Sequence, residues 1–293
     1  MPYLTPSPAG VLESSAALSR PVTGMWHVCL IAWLSLFRNA PLFFCRHPRT
    51  PLRVLCIIAF DATARVRGSW LSVPARRAMI GMLDIGGHLN DYYDNDGFSK
   101  WKYREARRLY AHSQWPGHRT ILQAYRRRLD AVERARPRLF SGNCCATSVV
   151  TYREDVVRLS LGALAAIAWG GSLEHAERRI DQDADLVLLF QLVMLAQLLD
   201  DILDWPRDCR RRLPTLLTMH ASNPHHRCRV GAILESTRRL ANSYVDRYPL
   251  EADALLPQRL ALHCFRYGVF AAMLWRRSST TSFRYKLAAT ASA

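Results

Sequence analysis

Apolar residues recur along this chain at helical spacing, and nowhere in the strict alternation of a half-buried strand. The pattern predicts helices over Met25–Phe37, Leu52–Val66, Ala75–Asp94, Thr147–Trp169, Leu186–Trp205, Arg229–Tyr248 and Ala252–Trp275. Gly68, Gly97 and Gly170-Gly171 punctuate them, and Ser172 is placed to cap the segment after the glycine pair. Met25–Phe37 is too short to cross a bilayer and reads as a buried helix, or else as one touching a membrane surface. Small residues crowd the second half of Thr147–Trp169, at Gly162, Ala163, Ala165, Ala166 and Ala168. They allow close helix packing or leave room for a long apolar ligand. The fold expected is all-α, a single-domain helical bundle around a central apolar cavity. It occupies residues 21–275, between a disordered tail at 1–20 and a basic, mobile tail at 276–293.

The longest apolar run ends in acid. Asp200, Asp201 and Asp204 close the segment Gln191–Asp204, just before an expected turn at Trp205-Pro206. Positions i and i+4 of a helix share a face, so Asp200 and Asp204 point the same way. Carboxylates gathered at the end of a buried helix repel one another and call for a cation. Oxygen ligands at this spacing suit Mg²⁺, which takes one or two carboxylates and shares its other sites with water and phosphate. A second cluster, Asn90-Asp91-Tyr92-Tyr93-Asp94, repeats the five-residue frame with Asn in first place. Asp84 and His88 share the face of Asp91. Facing carboxylates in a bundle are a common way to build a metal site.

The two clusters resemble the aspartate-rich motifs of class I isoprenoid synthases, the superfamily of trans-prenyl diphosphate synthases, squalene and phytoene synthases and terpene cyclases. Gln197 precedes Asp200 by three residues, as in the Gln-x-x-Asp-Asp-x-x-Asp form of prenyl diphosphate synthases, and Leu213-Pro214-Thr215-Leu216 resembles the segment after it there. The resemblance runs from about Met79 to Met219. It implies the isoprenoid synthase fold and Mg²⁺-dependent ionisation of an allylic prenyl diphosphate, with Asp91, Asp94, Asp200, Asp201 and Asp204 as catalytic metal ligands. It implies diphosphate contacts from Gln197, from Arg107 and Arg108 after the first motif, and from Arg210, Arg211 and Arg212 after the second. Arg153 or Arg158 is the candidate for a phosphate-sensing arginine in the manner of terpene cyclases. The Lys-Thr pair of chain-elongating enzymes falls on Val150-Thr151, so its lysine is absent. The second motif favours a prenyltransferase. A terpene cyclase, or a non-catalytic binding or regulatory subunit, stays open, the last because Asn90 lacks the charge of an aspartate.

Charge and cysteine usage add little to this picture. The formal net charge is +16, carried mostly by arginine, which suits fork-like contacts to phosphate. There is no zinc-finger spacing and no RNA-binding signature, so nucleic acid is not an expected partner. The 8 cysteines are scattered without a Cys-x-x-Cys, as in a reduced cytoplasmic protein. Contact with a membrane and assembly into a homodimer are both left open.

Overall fold

A computed structural model describes residues 25–40, 50–94, 97–115, 117–137, 146–211, 213–215, 217–218, 230–247 and 261–275. The two expected tails lie outside these residues, as do the loops at 141–143 and 223–226. The described residues are helical and contain no strand. In chain order the helices are α1 (Met25–Asn39), α2 (Thr50–Val66), α3 (Val73–Tyr93), α4 (Lys100–His112), α5 (His118–Arg134), α6 (Ala146–Trp169), α7 (Leu173–Arg179), α8 (Ala184–Arg211) and α9 (Val230–Asp246). Residues 261–275 form a further helix.

Local chemistry sets most boundaries. Ser72, Ser99 and Ser172 stand before α3, α4 and α7, and each accepts a hydrogen bond from a backbone N–H in the first turn of its helix. The basic stretch from Lys100 divides into α4 and α5. Gln114 and Gly117, both at positive φ, carry the chain between them.

α6 is the spine of the molecule and packs on α3, α5, α7 and α8. Its small residues serve close packing: a Cβ added at Gly162 would meet Glu177 Cγ of α7 at 2.5 Å. Gly81 does the same for α3, where an added Cβ would lie 2.9 Å from the Cα of Tyr110 in α4. The buried stripe of α8 (Met194, Leu195, Leu198, Ile202) advances by three and four residues, as one helical face must. Arg67, in the turn after α2, ties the start of α8 in place through ion pairs to Asp183 and Asp185, and its guanidinium lies 4.2 Å from the Trp169 ring centre.

Two expectations need correction. α8 does not turn at Trp205-Pro206; it continues through Pro206 to Arg211. Proline inside a helix removes one backbone hydrogen bond and crowds the preceding turn. The helix nevertheless continues, and Asp208, beyond the proline, is carried back to a buried position. α1 is not a buried helix. Ile31, Ser35 and Asn39 face inward, while Leu30, Trp33, Leu34 and Phe37 lie 45–59% exposed. The inner face is held by a polar node rather than by apolar packing alone. Asp61 of α2, fully buried, accepts from Asn39 Nδ2 at 3.1 Å, Ser35 Oγ at 3.4 Å and the backbone N–H of Leu71 at 3.0 Å, and pairs with Arg38 at 3.3 Å.

Candidate functional site

Because α8 runs on past Pro206, four aspartates rather than three line its end. Asp200, Asp204 and Asp208 lie at i, i+4 and i+8, and Asp208 stands seven residues after Asp201. Asp201 and Asp208 are buried, Asp204 half-buried, and Asp200 is the most open. Burial raises the pKa of Asp208 to about 7, and the neighbouring charge of Asp201 adds to this against the opposing pull of Arg153. Enough protein surrounds Asp200 that desolvation also raises its pKa, with Asp204 reinforcing the effect.

Arg153, from the first half of α6, answers this cluster. Its Nη2 donates to Asp201 Oδ1 at 3.1 Å. Burial works against its charge. Asp201, Tyr152, Asp94 and Asp208 work for it, and the balance leaves its pKa above that of an ordinary guanidinium. Asp94 belongs to the first cluster, so one arginine lies within electrostatic reach of both. Its Nε is buried and has no hydrogen-bond partner.

The first cluster sits at the end of α3. Asn90 donates from Nδ2 to Asp94 Oδ2 at 2.9 Å, and Arg136 pairs with Asp94 Oδ1 at 2.9 Å. Both oxygens of Asp94 are therefore engaged. Arg136 also approaches Glu133, whose other oxygen accepts from Tyr152 at 3.0 Å. Desolvation raises the Glu133 pKa, partly offset by Tyr152 and Arg136. Asp91 turns to the buried His88, 3.5 Å away. Tyr93 donates to Asp130, and burial with that bond raises its pKa to about 12.

The remaining candidates divide by place. Arg107 and Arg108 line a cleft of about 540 Å³ between α4 and α5. A neighbouring cleft of about 700 Å³ takes in Tyr92 and Tyr93 of the first cluster. A third, of about 310 Å³, lies by Trp70 and Trp169. None of the three is lined by a residue of the second cluster. Arg158 pairs with Asp181 at 2.7 Å and lies over the Phe190 ring, on a different side of α6 from Asp201. Gln197 is half-buried on α8; Arg210 and Arg211 are exposed in its last turn, and Arg212 lies outside the described residues. After α8, Thr215 and Thr218 close a small hydrogen-bonded turn with Leu213, where Pro214 is buried.

Among the described residues no three His, Cys, Asp or Glu side chains are gathered closely enough to hold a metal ion together. The reason is visible in the partners. Asp201 is held by Arg153, Asp204 pairs with Arg207 at 3.1 Å, and Asp94 is held by Arg136 and Asn90. Among the described residues Asp200 is in no ion pair, and it lies close enough to Asp204 to feel its charge, so these two carboxylates suit a Mg²⁺ ion that keeps several waters once Asp204 gives up its pairing with Arg207. The first cluster, as arranged, does not fit one. Arg136, Glu133, Tyr152 and Asp208 complete the network, and sequence reading missed all four. Only Asp208 carried a signal, its spacing from Asp201 and Asp204. No family model, curated protein or solved structure matches this chain.

Proposed function

We propose that this protein is a class I isoprenoid-type enzyme that ionises an allylic prenyl diphosphate and transfers the prenyl group. The observation that carries the reading is Arg153, which reaches Asp201 and the field of Asp94 together and keeps an unsatisfied Nε. A half-buried guanidinium whose Nε has no protein partner, set between two acidic clusters, suits a diphosphate oxygen, which it binds as charge develops on the leaving group. Asp200 and Asp204 would hold Mg²⁺, which neutralises the departing diphosphate. Asp201 positions Arg153, and Arg210 with Arg211 supplies further positive charge at the end of α8. The isoprenoid synthase fold, with an apolar cavity that keeps water from the allylic cation, is part of the same proposal. The cation then passes to an acceptor, in a transferase, or onto its own double bonds, in a cyclase.

The second reading is a protein that binds a prenyl diphosphate without turning it over. The engagement of both Asp94 oxygens by Asn90 and Arg136 favours it, since a metal ion would have to displace these donors from Asp94. One experiment separates the readings. The purified chain is incubated with Mg²⁺ and C10, C15 or C20 prenyl diphosphate, with and without isopentenyl diphosphate. Longer diphosphates identify a transferase and hydrocarbons or alcohols a cyclase. Saturable binding without diphosphate release identifies the binding protein, and neither binding nor release refutes both.

A further inference from the structure

Between Lys100 and Arg128 nine lysines and arginines stand against a single acid, Glu105. The structure gathers much of this charge on one face. Arg104, Arg107 and Arg108 of α4 and Arg119 and Arg126 of α5 line the cleft of about 540 Å³ between the two helices. Among the described residues none of the five is within ion-pair distance of a carboxylate. Neither helix has an acidic residue in its first turn, where the backbone dipole favours one; α4 opens on Lys100 and Lys102, and α5 on His118 and Arg119. The arrangement costs the fold stability through self-repulsion and leaves a concentrated positive field.

Two features choose the occupant. The outer side of α4 carries Trp101 and Leu109, 68% and 52% exposed. An indole and a leucyl side chain beside lysines and arginines match the interfacial layer of a membrane. The rings that line the groove are Tyr110, fully buried, and His118, packed edge-on against it with 5.9 Å between ring centres. Neither offers an open platform on which a nucleic-acid base can stack.

We infer that the α4–α5 face docks on an anionic phospholipid surface, with headgroup phosphates in the arginine groove and Trp101 and Leu109 in the interfacial layer. The inference does not depend on the proposed reaction, because it uses neither acidic cluster.

The test is flotation of the full chain with phosphatidylcholine vesicles, with and without roughly one-fifth phosphatidylglycerol. The protein is expected to float only with the anionic vesicles, and less so as salt is raised. Replacing Arg104, Arg108 and Arg119 together with Gln, at exposed positions where circular dichroism should show an unchanged helix content, is expected to weaken vesicle binding by roughly 100-fold. The same three positions changed to Lys keep most of it, since the surface potential reads charge. Trp101→Ser with Leu109→Ser weakens binding while leaving its salt dependence in place. Equal binding to neutral vesicles, or full binding by the Gln variant, overturns the inference. So does a single-stranded RNA that binds more tightly than anionic vesicles at the same salt and is lost in the Gln variant, which assigns the groove to nucleic acid.

Discussion

Arg153 Nη2 lies 3.1 Å from Asp201 Oδ1, joining the first half of the molecule's spine to the acid-rich end of its longest apolar helix. Asp201 is buried, and Asp208 is buried beside it. Arg153→Gln leaves these acids without their cation, and breaking a buried pair from one side costs about 3–5 kcal/mol. The double variant with Asp201→Asn should lose less than the single one. Urea unfolding of the two variants and the native chain checks both statements.

Asp208 gives the fold a pH dependence of definite sign. Its carboxyl titrates at about 7 when folded, against about 3.9 for an unperturbed aspartate. A raised folded-state pKa contributes stability in full below the unfolded value and loses it as pH climbs through about 7. Asp208→Asn removes that decline. The native chain and the variant should converge in acid, and the variant should be the more stable at about pH 8. Thermal melts across this range measure the difference.

Asp200 separates chemistry from structure. Its negative charge is disfavoured by desolvation and by Asp204. Asp200→Ala should therefore keep or raise the melting temperature while abolishing diphosphate release, if Mg²⁺ is held there. A stable variant that still releases diphosphate at the native rate contradicts the proposed mechanism.

Asn90 is a hydrogen-bond donor to Asp94 in this structure. Asn90→Asp replaces that donor with a second carboxylate at an exposed site, at a cost of about 0.5–1.5 kcal/mol without metal. Added Mg²⁺ should return some of that loss in the variant more than in the native chain. Melting curves with and without Mg²⁺ make the comparison.

Gly81→Ala tests the α3–α4 crossing. The new Cβ would lie about 3 Å from the Cα, Cβ and backbone nitrogen of Tyr110, none of which can swing aside like a side-chain tip. Overpacking of this kind costs about 1–3 kcal/mol, to be read from chemical denaturation.

The helices were legible in the sequence because their causes are local. The serine caps, the glycine breaks and the three-and-four spacing of α8 all act within a few residues. The acidic clusters were legible for the same reason. Their partners were not. Arg136 meets Asp94, and Arg153 meets Asp201 from 48 residues away, through packing that periodicity does not specify. Asp208 was hidden by a local rule applied too firmly, that Pro206 ends the helix. The outward stripe of α1 was hidden because hydrophobic spacing identifies an amphipathic helix without saying which side meets the protein.

That stripe is kept in place by Asp61. An apolar helix lying on an apolar surface can roll about its axis with little penalty, since dispersion and burial have no strong direction. Ser35, Arg38 and Asn39 all reach one buried carboxylate, and rolling α1 would take these three partners away and leave it only the backbone N–H of Leu71. Asp61 thus works as a rotational key. It sets the face that Leu30, Trp33, Leu34 and Phe37 present to the outside, so their exposure is imposed by orientation rather than left over from poor packing.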